Sequence, residues 1–354
     1  MKSLSYQLRC WGGEPEPVEH DVAPPEGCEV LLATEFAGVC HSDVYIMDGY
    51  QDLGDGERID FAESTMPMPL TMGHEIVGRV VAIGPDADPA LIGQRRLVYP
   101  WIGCGECVSC RAGFENHCES AASLGIFRQG GYARHVRVPH PRHLVEIGDL
   151  DPAWASTLAC SGLTVYSALK QLMPIKPETA IAIVGAGGLG LMAVAVARAL
   201  GIERIVVCDV AADRLRIALD LGATAVIDTS TGDEPTSKRL RAAAGDALYG
   251  VVDTVGLPAT VTLAIDSVMK GAKIVLIGLQ GGRIPLPLPI LPFKALSIVG
   301  TYTGSLGELR ELVALARGGG LKPMPIWTRD LSCLCDSLDR LRRKQVVGRI
   351  VLTP

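Results

Sequence analysis

The sequence predicts an α/β protein with a β-rich first part and a doubly wound parallel sheet in its second part. Short strand-like runs with Gly and Pro punctuation fill the first 160 residues, for example 29–39, 76–84 and 132–139. After residue 160, continuous apolar runs alternate with helical patterns. Such runs are typical of parallel strands that are buried on both faces.

Six strand candidates follow one another in the second part. They are TAIAIVG (179–185), RIVVCDV (204–210), ATAVID (223–228), YGVVDTVG (249–256), KIVLIGL (273–279) and LSIVGTY (296–302). Helical patterns follow the first two, in LGLMAVAVARALG and ADRLRIALDLG. The tail GRIVLTP predicts a last strand that returns to the first domain. We therefore expect one domain from 1–161 with 303–354, and a second from 162–302.

Composition excludes several classes of protein. A chain of 354 residues with 48% hydrophobic and 20% charged residues is typical of a compact two-domain protein. Its net charge of −6, with no large basic patch, argues against a nucleic-acid partner. The uncharged stretch Thr179–Ala197 is interrupted by four glycines, so we expect a strand, turn and helix rather than a membrane span. The N-terminus has no apolar signal-like segment, and eleven cysteines then fit a reducing cytoplasm.

Four cysteines lie within fifteen residues, with the spacing C-x2-C-x2-C-x7-C. They are Cys104, Cys107, Cys110 and Cys118. The short gaps let neighbouring thiolates converge on one ion, and the longer gap lets the chain return with the fourth. The pattern predicts a closed, tetrahedral structural zinc site. His117 is an alternative fourth ligand, although the pattern favours the all-cysteine set.

A glycine-rich motif predicts a dinucleotide site. The G-x-G-x-x-G residues are Gly185, Ala186, Gly187, Gly188, Leu189 and Gly190. They lie between a candidate strand and a candidate helix, and Asp209 ends the next strand nineteen residues later. Gly185 would permit the tight turn, Gly187 would let a pyrophosphate approach the backbone, and Gly190 would let helix and sheet pack closely. Asp209 would accept hydrogen bonds from ribose hydroxyls and repel a 2′-phosphate, so we expect NAD rather than NADP. The alternative is the same fold without a nucleotide.

Two further motifs, Cys40-His41-Ser42-Asp43 and Gly73-His74-Glu75, each adjoin a strand-like run. A lone His or Cys is more often a packed residue than a ligand. Together with the four-cysteine lobe and the glycine motif, in this order, they make the chain resemble the zinc-dependent medium-chain alcohol dehydrogenases over nearly its whole length. The resemblance implies a GroES-like β-rich catalytic domain, completed by the C-terminal tail, and a Rossmann domain that binds NAD.

The resemblance also implies a second, open metal site. Cys40, His74 and Cys160 would bind a catalytic zinc and leave a fourth position for water or the substrate oxygen. Asp43 would orient His74 through its far ring nitrogen. Glu75 would lie beside the metal as an alternative ligand during water exchange. Two zinc ions per subunit are therefore expected.

Cofactor contacts outside the glycine motif follow from the same resemblance. They are His41 and Arg349 at the pyrophosphate, and Thr164, Ile277 and Gly278 at the nicotinamide.

The expected reaction is reversible hydride transfer from an alcohol to NAD, in which zinc lowers the pKa of the alcohol. Ser42 would take the substrate proton. In relatives, a His five residues after the first Cys ligand passes this proton to solvent, but here that position is Tyr45. The proton would then leave through the ribose hydroxyl and water, or through Tyr45.

Runs such as LACSGLTVY and GSLGELRELVALA resemble the bacterial 6-hydroxyhexanoate dehydrogenase-like subgroup. We therefore expect a primary alcohol with an extended tail, ω-hydroxy acids included, with secondary alcohols or ketones as the alternative. Trp101 would narrow the cleft beside the metal, or would pack under the lobe. The polar stretch 48–64 predicts an insertion at the active-site mouth. A terminal carboxylate would need a cation, for which Arg58, Arg128 and Arg134 are candidates.

Two other classes of protein are alternatives. One is a zinc-free quinone or enone reductase on the same fold, which the combination of Cys40, His74 and Cys160 disfavours. The other is a non-catalytic protein that binds zinc and NAD. For the enzyme, the resemblance implies a homodimer or homotetramer that acts on small-molecule alcohols and aldehydes.

Overall fold

The computed structural model describes residues 1–354, and its first part is rich in strands, as predicted. The strands are β1 (Lys2–Leu8), β2 (Glu16–Asp21), β3 (Val30–Gly38), β4 (Tyr50–Gly54), β5 (Glu57–Asp60), β6 (Leu70–Thr71), β7 (Glu75–Ile83), β8 (Arg95–Val98), β9 (His135–Val138) and β10 (Leu144–Val145). The helices are α1 (His41–Asp48), α2 (Val108–Arg111), α3 (Pro152–Ser156) and α4 (Ser161–Leu172).

The second part is built on one parallel sheet, and all six predicted strands are present. The strands are β11 (Ala180–Val184), β12 (Ile205–Asp209), β13 (Ala225–Asp228), β14 (Leu248–Asp253), β15 (Lys273–Leu276) and β16 (Ser297–Gly300). The helices are α5 (Gly188–Ala199), α6 (Ala212–Leu221), α7 (Thr236–Ala243), α8 (Pro258–Ser267) and α9 (Ile290–Lys294). The strand order is β13-β12-β11-β14-β15-β16, so the connection reverses direction between β11 and β14. Ligands of such sheets bind at this reversal, beyond the carboxyl ends of the strands.

Both faces of this sheet are covered, which explains why its strands are continuously apolar. In β11, Ile181 and Ile183 belong to the same buried cluster as Leu191 of α5. The alternate residues of this strand, such as Ala182, belong to a second cluster with Ala264 of α8. Side chains alternate along a strand, so the two clusters lie on opposite faces.

The C-terminal tail returns to the first part, which confirms the prediction for the last strand. It contains α10 (Leu306–Arg317), β17 (Ile326–Asp330), α11 (Leu334–Arg342) and β18 (Arg349–Thr353). These strands extend a sheet in the order β10-β8-β7-β3-β18-β17, and β9 also pairs with β3. The tail thereby brings Arg349 beside the ends of β3 and β7. The fold is a GroES-like domain joined to a Rossmann-like sheet, as expected.

Two stretches differ from the predicted elements. The strand expected over 132–139 is shorter, because the N–H of Tyr132 donates to the carbonyl of Met72 at 3.0 Å and leaves the ladder of β9. The polar stretch 48–64 contains a two-stranded hairpin, β4 with β5. The domain limits at 161/162 and 302/303 fall at the start of α4 and between β16 and α10, and they stay predictions. Every helix is too short or too polar to span a bilayer.

Candidate active site

The four cysteines of the lobe form one cluster, in which the sulfur atoms all lie within 4.8 Å of one another. All four are free thiols. Backbone N–H groups point at the sulfurs: that of Cys107 donates to Cys104, that of Cys110 to Cys107, both at 3.4 Å, and that of Cys104 to Cys118 at 3.3 Å. Such donors favour the thiolate form that a metal requires. The cluster therefore fits an all-cysteine zinc site. His117 lies outside it, with its ring stacked on Phe114.

A second cluster joins Cys40, His74 and Cys160, whose ligand atoms also lie within 4.8 Å of one another. Cys40 is the N-cap of α1 after β3, His74 directly precedes β7, and Cys160 directly precedes α4. The two sulfurs are 3.9 Å apart. Two thiols and one imidazole, held by three separate elements, form a donor set that fits a catalytic zinc. The sequence places these three residues far apart in the chain, and the fold brings them together.

The ring of His74 is oriented by a buried carboxylate. Its Nδ1 lies 3.3 Å from Oδ1 of Asp43, and both side chains are fully buried. This leaves Nε2 for the cluster. Burial would lower the pKa of His74, but the charge and hydrogen bond of Asp43 outweigh it and raise the pKa well above the ordinary value. The predicted contact between Asp43 and His74 is therefore present.

Tyr132, which the sequence interpretation did not select, holds Asp43 in place. Its hydroxyl donates to Oδ2 of Asp43 at 2.6 Å, and the N–H of Cys40 donates to the same oxygen at 3.0 Å. A side chain at Gly73 would collide with the Tyr132 ring, because a Cβ there would lie 2.7 Å from Cδ1.

Glu75 is buried and has two partners. Its Oε1 accepts a hydrogen bond from the N–H of Ser161 at 3.1 Å, and its Oε2 forms an ion pair with Arg349. Burial raises the pKa of Glu75 to about 7, while Arg349 opposes the shift. To become an alternative metal ligand, Glu75 would have to give up one of these contacts. That role stays a prediction.

Ser42 and Tyr45 lie on α1, close to the metal cluster. The Oγ of Ser42 is 3.4 Å from Nε2 of His74. Tyr45 lies about one turn further along, with its ring centroid 5.1 Å from that of His41. Burial, followed by the charges of Cys40 and Asp48, raises the pKa of Tyr45 to about 12. Burial also lowers the pKa of His41.

The glycine motif has the geometry of a phosphate-binding turn. Gly185 has φ +92°, which favours glycine, and a Cβ on Gly190 would lie 1.8 Å from the carbonyl oxygen of Gly185. A Cβ on Gly187 would meet open space, which leaves its backbone accessible to a pyrophosphate. A Cβ on Gly188 would lie 2.6 Å from Cδ of Arg349, so this glycine makes room for the arginine predicted at the same site. Leu189 continues into α5.

Asp209 ends β12 and is tied to the glycine motif. Its Oδ2 accepts a hydrogen bond from the N–H of Ala186 at 2.6 Å, and its Oδ1 accepts one from Ala211 at 2.9 Å. The carboxylate is thus fixed beside the turn, at the end of the strand where an adenosine ribose binds in such folds. The neighbouring Val210 is exposed and offers no charge.

The residues expected at the nicotinamide lie at the carboxyl edge of the sheet and in α4. Thr164 is buried in the first turns of α4, which begins directly after Cys160. Ile277 and Gly278 follow β15, and both of their N–H groups donate to the carbonyl of Asp253 at 3.0 Å. A Cβ on Gly278 would lie 2.1 Å from the backbone of Val255. Only glycine lets these two loops pack so closely.

Two aromatic rings pack beside the metal cluster. The ring centroid of Trp101 lies 5.3 Å from that of His74, and its indole N–H donates to the carbonyl of Ala159 at 3.0 Å. Tyr302 packs edge-on against Trp101, with centroids 5.9 Å apart. The sequence interpretation missed Tyr302, although it follows the last parallel strand, where ligand contacts concentrate. Trp101 is buried, with 4% of its surface exposed, so its place as a wall of the cleft stays a prediction.

Comparisons with known proteins agree with this architecture. Residues 26–149 match the family model described as an alcohol dehydrogenase GroES-like domain, and residues 188–317 match that described as a zinc-binding dehydrogenase. An NAD-dependent alcohol dehydrogenase of Sulfolobus acidocaldarius is 35% identical over 343 residues, which cover 96% of each chain.

Solved structures are similar over the same length. The alcohol dehydrogenase from Aeropyrum pernix has a TM-score of 0.89 and 27% identity, and the match covers 99% of this chain and 100% of that one. An acetophenone reductase from Geotrichum candidum, in complex with NAD, has a TM-score of 0.85 and 27% identity, with coverage of 100% and 97%. The expected cofactors, NAD and zinc, are those of this family. The chain belongs to the zinc-dependent medium-chain family of NAD-dependent alcohol dehydrogenases.

Proposed function

We propose that this enzyme oxidises primary alcohols with an extended tail, ω-hydroxy acids such as 6-hydroxyhexanoate among them, to the aldehydes. The observation that carries the proposal is the pair Trp101 and Tyr302, which lies on one side of His74. A bulky indole at this distance from a metal ligand leaves little room for a second carbon substituent on the reacting carbon. Unbranched substrates would therefore be favoured over branched ones.

In this proposal Cys40, His74 and Cys160 hold the catalytic zinc, and the lobe cysteines hold the structural zinc. Bound at the open site, zinc supplies the Lewis acidity that lowers the pKa of the alcohol. Thr164, Ile277 and Gly278 would hold the nicotinamide, the group that accepts hydride when NAD is bound. Ser42 would accept the hydroxyl proton of the alcohol while its own hydroxyl proton passes on towards solvent. Asp43 keeps the ring of His74 in the orientation that the cluster requires.

A cavity of about 370 Å³ is lined by Tyr302 and by none of the three metal-cluster residues. In this proposal it would receive the polar far end of the substrate. Its walls are mostly polar: Phe114, Asn116, His117, Ser167, Lys170, Gln171, Gly300, Thr301, Tyr302 and Glu308. Lys170 offers a cation for a carboxylate, although it also pairs with Glu311 at 2.7 Å. The three arginines considered from the sequence do not line this cavity, and Arg58 is held by Asp60 at 2.9 Å.

The test is a comparison of kcat/KM for 1-hexanol, 6-hydroxyhexanoate and 2-propanol. We expect 6-hydroxyhexanoate to be the best substrate and 2-propanol the poorest. Lys170→Met should lower kcat/KM for the ω-hydroxy acid but not for 1-hexanol. Lys238→Met, which also breaks an exposed ion pair, is the matched control. If 2-propanol is oxidised best, the proposal is wrong.

A secondary alcohol or ketone is the second candidate. The similarity to the acetophenone reductase favours it, because that protein is named for a ketone. The same substrate panel distinguishes the two, since an aryl ketone can be added in the direction of NADH oxidation.

We also propose that the enzyme is a homodimer or homotetramer in the cytoplasm. In support, β16 is an edge strand, and the large apolar side chains of Leu288 and Phe293 nearby are exposed. All eleven cysteines are free thiols, as a reducing compartment would keep them. Light scattering of the wild type and of Phe293→Asp tests the assembly; a monomeric wild type would disprove it.

A further inference from the structure

Two segments from different domains meet beside the predicted nicotinamide site. The first, here called the hairpin, comprises residues 50–60 with strands β4 and β5. The second, here called the bridge loop, comprises residues 277–283 and follows β15 directly. The first residues of the bridge loop, Ile277 and Gly278, are those expected at the nicotinamide.

The bridge loop is fixed at its start by its own domain. The N–H groups of Ile277 and Gly278 both donate to the carbonyl of Asp253 at 3.0 Å. The N–H of Gln280 donates to the carbonyl of Val255 at 3.1 Å. These bonds fix the loop to the end of β14.

The other end of the bridge loop is held by the hairpin of the catalytic domain. The side-chain amide of Gln51 donates to the carbonyl of Leu279 at 2.6 Å. Glu57 forms an ion pair with Arg283. Both partners of this ion pair are about half exposed, so the pair contributes little to folding stability.

Between these contacts the two backbones touch. A Cβ on Gly54 would lie 2.6 Å from the Cα of Gly282, and a Cβ on Gly281 would lie 2.6 Å from the carbonyl oxygen of Asp52. Gly54, Gly281 and Gly282 all have positive φ, at +88°, +90° and +120°. At this contact no side chain lies between the two backbones that could change its conformation to absorb a shift. A movement of the hairpin would therefore displace the bridge loop.

We propose that the hairpin is a positioning element for hydride transfer, in which Gln51 and Glu57 set the place of the bridge loop and hence of the nicotinamide relative to the metal cluster. This rests on the proposed placement of Ile277 and Gly278 at the nicotinamide. The bridge loop is bonded to the cofactor domain at one end and to the catalytic domain at the other. It therefore fixes the separation of the two reactants across the cleft. Hydride transfer depends steeply on that separation, and a misplacement of about 1 Å can cost about 100-fold in rate.

The test measures hydride transfer directly, as the single-turnover rate of NADH formation in rapid mixing with saturating NAD and alcohol. The alcohol is whichever of the three above the wild type oxidises fastest, used with and without deuterium on the carbinol carbon. The variants, here called the hairpin variants, change either segment of this contact. They are Gln51→Ala, Gln51→Glu, Glu57→Arg, Arg283→Glu and the double variant Glu57→Arg with Arg283→Glu. Lys2→Glu and Asp21→Lys, which break an exposed ion pair between β1 and β2, are the controls.

We expect the single hairpin variants to lower the hydride-transfer rate by ~10-fold or more, with a full deuterium isotope effect and an unchanged Tm. The charge-swapped double variant should recover most of the rate, because it restores the pair between residues 57 and 283. The controls should match the wild type. A rate equal to that of the wild type in the hairpin variants would overturn the proposal. So would a loss explained entirely by a lower Tm, with the folded fraction reacting at the normal rate.

This experiment separates the inference from the proposed function. An incorrect substrate class leaves the test intact, because the assay uses the best available alcohol. An incorrect substrate class would instead change the ranking of kcat/KM for the three alcohols in the wild type. Unchanged hydride transfer in all variants of an active enzyme would overturn the inference together with the placement of Ile277 and Gly278 on which it rests.

Discussion

Arg349 and Glu75 form a buried ion pair that joins the two halves of the active site. Arg349 begins β18 and passes over Gly188 at the start of α5, where the phosphate-binding turn ends. Glu75 directly follows His74, and its second oxygen accepts a hydrogen bond from Ser161. Burial alone would lower the pKa of Arg349, but Glu75 and the two cluster thiols raise it. One side chain thus connects the predicted pyrophosphate site with the metal cluster.

Arg349→Met should weaken NAD binding and destabilise the fold. The substitution removes a cation from the phosphate site and leaves the carboxylate of Glu75 buried without its partner. Breaking a buried pair in this way costs up to about 3–5 kcal/mol at a pH where Glu75 is ionised, and less where it is protonated, since its pKa is about 7 even with Arg349 present. Urea denaturation and NAD titration measure the two effects. Adding Glu75→Gln should restore most of the stability but not the NAD affinity. If NAD affinity is unchanged in Arg349→Met, the guanidinium serves only to neutralise Glu75.

Metal content should separate the two cysteine clusters. The purified chain should carry two zinc ions per subunit, and Cys160→Ala should lose one of them together with the activity. The lobe should stay metallated and the fold intact, because the four lobe thiols do not touch Cys160. Cys208→Ala is the matched control, since Cys208 is also buried but belongs to neither cluster. Full turnover by Cys160→Ala would show that the third ligand is a different residue.

The motifs could be predicted from the sequence because their chemistry depends on the spacing of neighbouring residues. Four thiolates in one short run, or glycines between a strand and a helix, constrain the geometry without knowledge of the rest of the chain. The inner strands of the parallel sheet could also be predicted, because burial on both faces makes them apolar runs, as in residues 205–208 of β12.

Contacts between segments that are distant in the chain could not be predicted in this way. The hydroxyl of Tyr132 reaches a carboxylate 89 residues away, and the amide of Gln51 reaches a carbonyl 228 residues away. Nothing in the local pattern of a polar stretch or a tyrosine specifies such a partner. Tyr302 follows the last parallel strand, but its contact with Trp101 also joins distant segments of the chain. Side chains that position a metal-binding residue or a loop depend on the assembled fold. The metal-binding side chains themselves lie in recognisable motifs of the sequence.

Cofactor preference should depend on Asp209. Asp209→Ser with Val210→Arg should shift kcat/KM from NAD toward NADP, because it removes a charge that repels the 2′-phosphate and adds one that pairs with it. Serine retains an acceptor for the N–H of Ala186, so the turn should keep its shape. Asp228→Ser, at the end of the adjacent strand β13, is the control and should leave the preference unchanged. A wild type that already prefers NADP would contradict the assignment.

Ser42→Ala should slow alcohol oxidation by about 10²–10⁴-fold, the usual contribution of general acid–base catalysis to a rate. NAD affinity should change little, because the hydroxyl lies near Nε2 of His74 and not in the glycine motif. Single-turnover rates and NAD titration of the same preparation separate these two quantities. A rate close to that of the wild type would mean that the substrate loses its proton by another route.

Tyr45→Phe tests where that proton goes next. The pKa of Tyr45 is raised to about 12, chiefly by burial, so the phenol stays neutral below that pH and cannot act as a free base. It can still accept a proton from Ser42 while donating its own to solvent. Its loss should therefore lower alcohol oxidation most at low pH, near pH ~6, where solvent base is scarce, and least near pH ~10. The pH–rate profile of Tyr45→Phe, beside that of Tyr249→Phe as a half-buried tyrosine outside the site, measures the effect. Profiles of identical shape would make Tyr45 a wall of the pocket, and the ribose hydroxyl and water would then carry the proton.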